Sequence, residues 1–348
     1  MESMMEMVPI DWRHEEAGPT FKPMKIFVTG GSGFVGGHLI ERLSKSCEVR
    51  ALARSASSSE TVRKYGATPV DGDLETLDAR HVGDAEVVVH AAAYVKSYGK
   101  RADFEAGNIE GTRRALAAAK AAGAKRFIHI GTEAMFFEGK DLLDIDETTR
   151  PPVRHRYLYS ETKAAAEALV LAANEPGFAT LSLRPRLVWG PRDASVLPEV
   201  LEAVEKGAFA WMDGGEHLTS TTWVGNLAAA VELALTKGRG GEAYFIADDG
   251  TRKLRDFLTG LAATRGVTLP NRSVPGAFAR PLASCVESTF RVFAPKKKPP
   301  MVAFSVAMIS RSVTVKTAKA KRELGYVPEV TVEQGLRSLT PRGGEGQG

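Results

Sequence analysis

Thr29-Gly30-Gly31-Ser32-Gly33-Phe34-Val35-Gly36 is the stretch on which the reading of this chain turns. It follows an apolar, β-branched run at residues 25–29 and opens a helical pattern that continues over 36–46. Glycines at 30, 33 and 36 let the backbone turn tightly and pass close to a pyrophosphate, which would sit on the free N–H groups at the helix start. A glycine triplet alone is also what an ordinary tight turn shows. Its position between a strand and a helix favours a dinucleotide site, with Gly30, Gly33, Phe34, Val35 and Gly36 against the cofactor.

Outward from this loop the same rhythm repeats. Strand patterns fall at 48–53, 68–71, 86–90, 126–130 and 180–183, and helical patterns at 60–65, 102–122 and 159–174. The strands at 25–29, 86–90 and 126–130 are apolar throughout rather than alternating, as strands covered by helices on both faces are. This predicts an α/β fold with a doubly wound parallel sheet. After Gly190 the rhythm loosens: helices near 196–206 and 224–236 and a strand at 243–246 precede a basic region broken by Pro275, Pro281, Pro295, Pro299 and Pro300. The expected division is a cofactor-binding domain at 24–190, a segment returning to its sheet at about 222–247, and a smaller substrate lobe from 191–221 and 248–339. Residues 1–23 read as a flexible extension and 340–348 as a disordered tail.

Composition narrows the function. The 348 residues are 43% apolar and 25% charged, the balance of a soluble globular protein. A net charge of +4 from 46 basic and 42 acidic side chains is too even for a dedicated nucleic-acid binder. From Val274 onward, however, 12 Lys/Arg face 5 Asp/Glu. Two cysteines give neither a disulfide framework nor a four-ligand zinc site, and they fit a reducing compartment. No metal is expected. No stretch is long and apolar enough to read as a signal peptide or a membrane span, so the chain is expected in the cytoplasm.

The end of the second strand bears on the cofactor. An acid there binds a ribose 2′-hydroxyl, whereas Arg accommodates a 2′-phosphate. Here Leu52-Ala53-Arg54-Ser55 has no acid until Glu60, so Arg54 with Ser55, Ser57 and Ser58 predicts NADP over NAD. Asp73 and Leu74 would flank the adenine, and the small side chains of Ala91, Ala92 and Ala93 would let the ribose lie on the backbone. Of seven tyrosines only Tyr159 has a lysine, Lys163, four residues on. On a helix these share a face, and an adjacent ammonium would pull the phenol down from its usual value of about 10. Thr132, at the end of the fifth strand, is the third hydroxyl expected at that sheet edge.

Taken in order, the glycine loop, His90-Ala91-Ala92-Ala93, Asn108 with Gly111-Thr112, Thr132, Tyr159/Lys163, Leu183-Arg184-Pro185 and the final Lys319–Pro328 stretch resemble the extended short-chain dehydrogenase/reductases over about 24–338. Within them the chain is most similar to the 3β-hydroxysteroid dehydrogenase and sterol-4α-carboxylate 3-dehydrogenase branch, on Phe136-Phe137-Glu138-Gly139, the 159–163 stretch and 183–191. The resemblance implies a Rossmann-type domain and interconversion of a secondary alcohol and a ketone on a bulky apolar substrate. It implies Tyr159 as acid, Lys163 on the ribose, Thr132 on the carbonyl, and Pro185 and Val188 beside the cofactor. Glu133, Met135, Phe136, Leu187 and Trp189 would line the substrate pocket. A homodimer through the Ala-rich helices at 112–122 and 163–173 is also implied.

Two departures point away from nucleotide sugars. Glu133-Ala134 follows Thr132 where sugar dehydratases carry Asp-Glu, and Leu187 stands where sugar epimerases typically carry Asn. A sugar-nucleotide epimerase or dehydratase remains an alternative on the same fold. A non-catalytic dinucleotide sensor is another, although such a protein is expected to lose the Tyr/Lys pair. Finally, Phe278, Leu282, Val286, Phe290 and Phe293 recur at helical spacing before Lys296-Lys297-Lys298. Such a stripe beside cations could meet an anionic bilayer. The reading preferred here packs it on the substrate lobe, without membrane contact.

Overall fold

The structure is a computed structural model that describes residues 23–294 and 297–340. The expected extension, apart from residue 23, and the tail beyond residue 340 lie outside the described residues.

Seven strands form one parallel sheet: β1 Lys25–Thr29, β2 Glu48–Ala53, β3 Thr68–Asp71, β4 Val87–His90, β5 Arg126–Ile130, β6 Ala179–Pro185 and β7 Glu242–Ile246. Their order is β7-β6-β5-β4-β1-β2-β3. The pleat explains the uninterrupted apolar runs. Ile26, Val28, Val87, Val89 and Ile128 enter a core on one face, while Phe27, Val88 and Phe127 enter a second core on the other. Because successive side chains point to opposite faces, a strand buried on both sides has no polar positions to spare.

Helices cover both faces: α1 Phe34–Leu43, α2 Ala56–Lys64, α3 Gly111–Ala121, α4 Leu158–Ala172 and α5 Val224–Ala234, which packs on α1. The helical pattern at 102–122 contains a wider turn. Arg101–Phe104 is α-helical, Glu105–Glu110 is a π-turn, and α3 follows. Asn108 in that turn accepts from the Tyr94 N–H at 2.7 Å and donates to Thr162 Oγ1 at 3.0 Å, tying α4 to the segment after β4. The π-turn turns Asn108 inward, where it is buried.

Four short strands that the sequence pattern does not reveal form a second sheet: Leu142–Ile145, Leu218–Thr219, Arg252–Lys253 and Val313–Val315. Two further helices, α6 Gly276–Phe293 and α7 Ala303–Ile309, pack on each other. Here one expectation is corrected. Phe278, Leu282 and Phe293 are 73%, 55% and 83% exposed, whereas Val286 and Phe290 are half-buried, so only part of the apolar stripe packs. α6 instead buries its small face, Gly276, Ala279 and Ala283. Small side chains allow close helix approach, which leaves the large ones outside. Among the described residues no helix is long and apolar enough to cross a membrane.

Candidate active site

The sheet order reverses between β1 and β4, and the glycine loop sits at that switch point. Such crevices at the carboxyl ends of strands are where open parallel sheets take ligands. Gly30 holds φ +74°, and a Cβ there would lie 2.7 Å from the Ala92 nitrogen. At Gly36 a Cβ would meet the Gly30 carbonyl oxygen at 2.1 Å. The loop therefore closes directly onto Ala91-Ala92 and α1 only with glycine at both positions. Gly33 caps α1 without a side-chain bond, so the first-turn N–H groups of Phe34, Val35 and Gly36 point to an uncovered end. This cradle fits a pyrophosphate.

Other expected cofactor residues surround it. Arg54 is exposed at the end of β2. Ser55 and Ser58 are engaged in a reciprocal cap on α2, with Ser58 N–H to Ser55 Oγ at 3.2 Å and Ser55 N–H to Ser58 Oγ at 2.9 Å. Those two hydroxyls are engaged in holding the helix end. Asp73 turns its carboxylate onto the N–H groups of Glu75 and Thr76, each at 2.9 Å, and Leu74 lies against Gly111. Pro185 ends β6, and Val188 pairs with Thr222 in a short parallel ladder.

Beneath the loop runs a buried polar row. His90 bonds Thr29 Oγ1 at 2.7 Å through Nδ1 and Thr112 Oγ1 at 3.0 Å through Nε2, and its ring stacks on His129 at 5.6 Å. Burial and the nearby Lys163 charge press the His90 imidazole down to about 3, so it is neutral. Lys163 Nζ donates to the Ile130 carbonyl at 2.9 Å and lies 3.3 Å from His129 Nε2. Burial lowers its ammonium to about 8. His90 enters the sequence reading only within His90-Ala91-Ala92-Ala93, with no role of its own, and His129 escapes it, because a histidine inside an apolar strand carries no motif. Only its spacing opposite Lys163 could have marked His129.

Tyr159, in the first turn of α4, and Thr132, at the start of the turn Glu133–Phe136, are brought together as expected from the order of the strands. Thr132 is buried, donates to Glu133 Oε2 at 3.0 Å and accepts from the Ala134 N–H at 3.2 Å. Glu133 Oε1 in turn accepts from Arg186 Nη1 at 2.8 Å, with both side chains buried. The expected lowering of Tyr159 is not found. Desolvation and the Glu133 carboxylate push its phenol well above the usual value, against the opposing effect of its hydrogen bond with Thr132. Lys163 is turned toward the β5 carbonyl and so does not offset them.

A cleft of about 490 Å³ opens beside Tyr159. Phe104, Tyr157, Leu158 and Phe304 form its apolar wall, and α6 contributes Ser284, Glu287 and Arg291. The expected pocket residues do not line it. Trp189 is fully buried in a satellite core with Trp223 and Phe257, its indole donating to Asp248 at 2.9 Å. Met135 and Phe136 are buried with Phe245 in another cluster, and Leu187 packs on the satellite core at φ +43°. The polypeptide turns sharply after β5 and β6, which swings these side chains inward. Phe304 had no sequence signal: its ring meets Tyr159 at 5.6 Å and Tyr157 at 5.2 Å because α7 brings it to the start of α4. Among the described residues no cluster of ligating side chains could hold a metal.

Residues 27–275 match the description of the 3-beta hydroxysteroid dehydrogenase/isomerase family. The chain belongs to this family. A member of similar length, "4-hydroxy-2-methyl-3-oxo-4-farnesyl-3,4-dihydroquinoline-1-oxide ketoreductase" of Stigmatella aurantiaca, is 41% identical over 328 residues, covering 93% of this chain and 98% of that one. "2-Alkyl-3-oxoalkanoate reductase" of Stenotrophomonas maltophilia is 30% identical over 91% of this chain and 98% of its own. Among solved structures, the protein gox2253 superposes with a TM-score of 0.71 at 26% identity, covering 89% of this chain and 95% of that one. With this family membership, the chain is an NAD(P)-dependent oxidoreductase of the C=O/CH–OH couple and has a Rossmann-type sheet.

Proposed function

We propose that the protein is an NADP-preferring ketoreductase for a bulky apolar ketone, with a 3β-hydroxysteroid dehydrogenase-like site. The observation that carries this reading is the placement of Tyr159 on the wall of a cleft in which Phe104, Tyr157 and Phe304 form an apolar side and charged and hydroxyl side chains the other. The names of the relatives, a ketoreductase of a farnesyl-substituted quinoline oxide and a reductase of 2-alkyl-3-oxoalkanoates, support the direction and the substrate class.

When bound, the cofactor supplies hydride to the carbonyl carbon. Gly30, Gly33 and the first turn of α1 would hold its pyrophosphate, Arg54 its 2′-phosphate and Lys163 its ribose. Tyr159 gives its proton to the carbonyl oxygen, and Thr132 fixes the phenol from behind. Phe104, Tyr157 and Phe304 exclude water and take the apolar body of the ketone.

Titration with NADPH and NADH, then absorbance assays with ketosteroids, 2-alkyl-3-oxoacids, prenylated quinolinones and nucleotide sugars, test the reading. NADPH consumption with the bulky ketones is expected. Turnover confined to nucleotide sugars would refute it. A homodimer through α3 and α4 is part of the proposal, although Ala115, Ala118, Ala119 and Ala166 are spent on their own sheet. A monomer mass by light scattering at micromolar concentration would count against it. The solvent-facing Phe278, Leu282 and Phe293 give peripheral lipid contact an apolar surface, which flotation with anionic liposomes tests.

A further inference from the structure

Thr132 has one proton to give and two lone pairs to fill. Its proton goes to Glu133 Oε2 at 3.0 Å, and one lone pair takes the Ala134 N–H at 3.2 Å. What remains toward Tyr159 is an acceptor. Glu133 cannot turn away from this arrangement, because Arg186 Nη1 holds its other oxygen at 2.8 Å in a pair from which water is excluded. A buried carboxylate that lost this partner would be strongly destabilised, so the clamp is rigid.

We propose that Glu133, clamped by Arg186, is a positioning residue that takes the Thr132 proton, makes Thr132 an acceptor for the Tyr159 hydroxyl, and thereby holds Tyr159 as the proton-bearing acid that ketone reduction requires. The inference rests on the ketoreductase reading and deepens it. It also revises the role that the family resemblance implies for Thr132. With its proton committed to Glu133, Thr132 orders the acid and does not itself donate to the carbonyl.

The Glu133 part of the electrostatics agrees in sign, and the Thr132 part opposes it. The Glu133 charge raises the Tyr159 phenol, and the Thr132 hydroxyl, whose single proton Glu133 and a phenolate would both claim, opposes the rise. Of the other charged groups around the cleft, Arg156 lies over the Tyr157 ring at 5.7 Å, and most of the rest are paired with one another. On α4, Lys163 lies on the Ile130 carbonyl, and Glu161 is paired with Arg101 at 2.7 Å. Across the cleft, Glu287 is paired with Arg291 at 2.7 Å, and α7 presents the uncharged Phe304. His155 lies on the cleft wall, lowered by its own desolvation. Among the described residues, Glu133 is thus the carboxylate whose charge acts on the phenol.

The test is a pH titration of the whole protein labelled with 13Cζ-tyrosine, with Tyr159→Phe assigning the resonance. In Glu133→Gln the Tyr159 titration should begin at least about one pH unit lower than in the parent, because a neutral amide neither repels the phenolate nor holds the Thr132 proton as strongly. Glu133→Asp, which keeps the charge, should stay near the parent. Should Glu133→Gln fail to fold with Arg186 left unpaired, the double variant Glu133→Gln/Arg186→Gln removes both charges and should show the same downward shift. An unchanged Tyr159 titration in whichever of these folds would overturn the proposal. Undiminished NADPH-dependent ketone reduction by Tyr159→Phe would instead overturn the ketoreductase reading, whatever the titration shows.

Discussion

Replacing Lys163 by Met should stabilise the protein at neutral pH while removing the group proposed to hold the cofactor ribose. The ammonium is buried, and burial brings it from 10.5 to about 8. Each pH unit between the two values corresponds to about 1.4 kcal/mol, so keeping the group charged in the folded state near pH 7 costs roughly 3 kcal/mol. Met is of similar length and has no charge to desolvate. It loses the 2.9 Å bond to the Ile130 carbonyl, worth about 1 kcal/mol. The net gain expected near pH 7 is about 2 kcal/mol. Its pH dependence follows from proton counting. Below about pH 8 both folded and unfolded parent carry the proton, and the full cost is present. Between about 8 and 10.5 the unfolded parent binds more protons than the folded one, so parent stability rises with pH and the advantage of Met vanishes near pH 10. Urea unfolding of both proteins near pH 7 and pH 10 measures this. A Met variant less stable than the parent at neutral pH, or a difference that does not change with pH, would refute the reasoning.

Tyr159→Phe keeps the ring against Phe304 and should leave NADPH affinity within about twofold while turnover falls about 10²- to 10⁴-fold, read by fluorescence titration and steady-state rates. Arg54→Asp should reverse cofactor preference toward NADH, because a carboxylate repels a 2′-phosphate and accepts from a 2′-hydroxyl. Equal affinities of the parent for both cofactors would show that exposed Arg54 is only a surface charge.

The sheet was legible because its central strands are buried on both faces, so their apolar runs and the helical patterns between them needed no knowledge of contacts. Gly30 and Gly36 could be read for a similar reason: the backbone approach that demands glycine is local. Tyr159, Lys163 and Thr132 could be placed at one edge from strand order alone. The cleft could not. Phe304 and the polar face of α6 reach Tyr159 from more than a hundred residues away, through helices whose packing is set by small residues such as Ala279 and Ala283. Trp189 and Phe136 misled because they adjoin site residues in sequence, yet each turn directs them into a core. The direction of the Tyr159 perturbation was missed because an i, i+4 spacing says that two side chains share a face and not where the lysine points. Lys163 follows the Ile130 carbonyl, and the charge that reaches the phenol comes from Glu133.

The most direct test of the central claim is to follow the transferred hydrogen. The protein is incubated with NADPH deuterated at the transferring position of the nicotinamide and with a bulky apolar ketone, and the alcohol is examined by mass spectrometry. The account predicts one deuterium on the new carbinol carbon, formed in step with cofactor oxidation and lost in Tyr159→Phe. An alcohol without deuterium, or a nucleotide sugar epimerised with no net cofactor oxidation while ketones are left untouched, would contradict it.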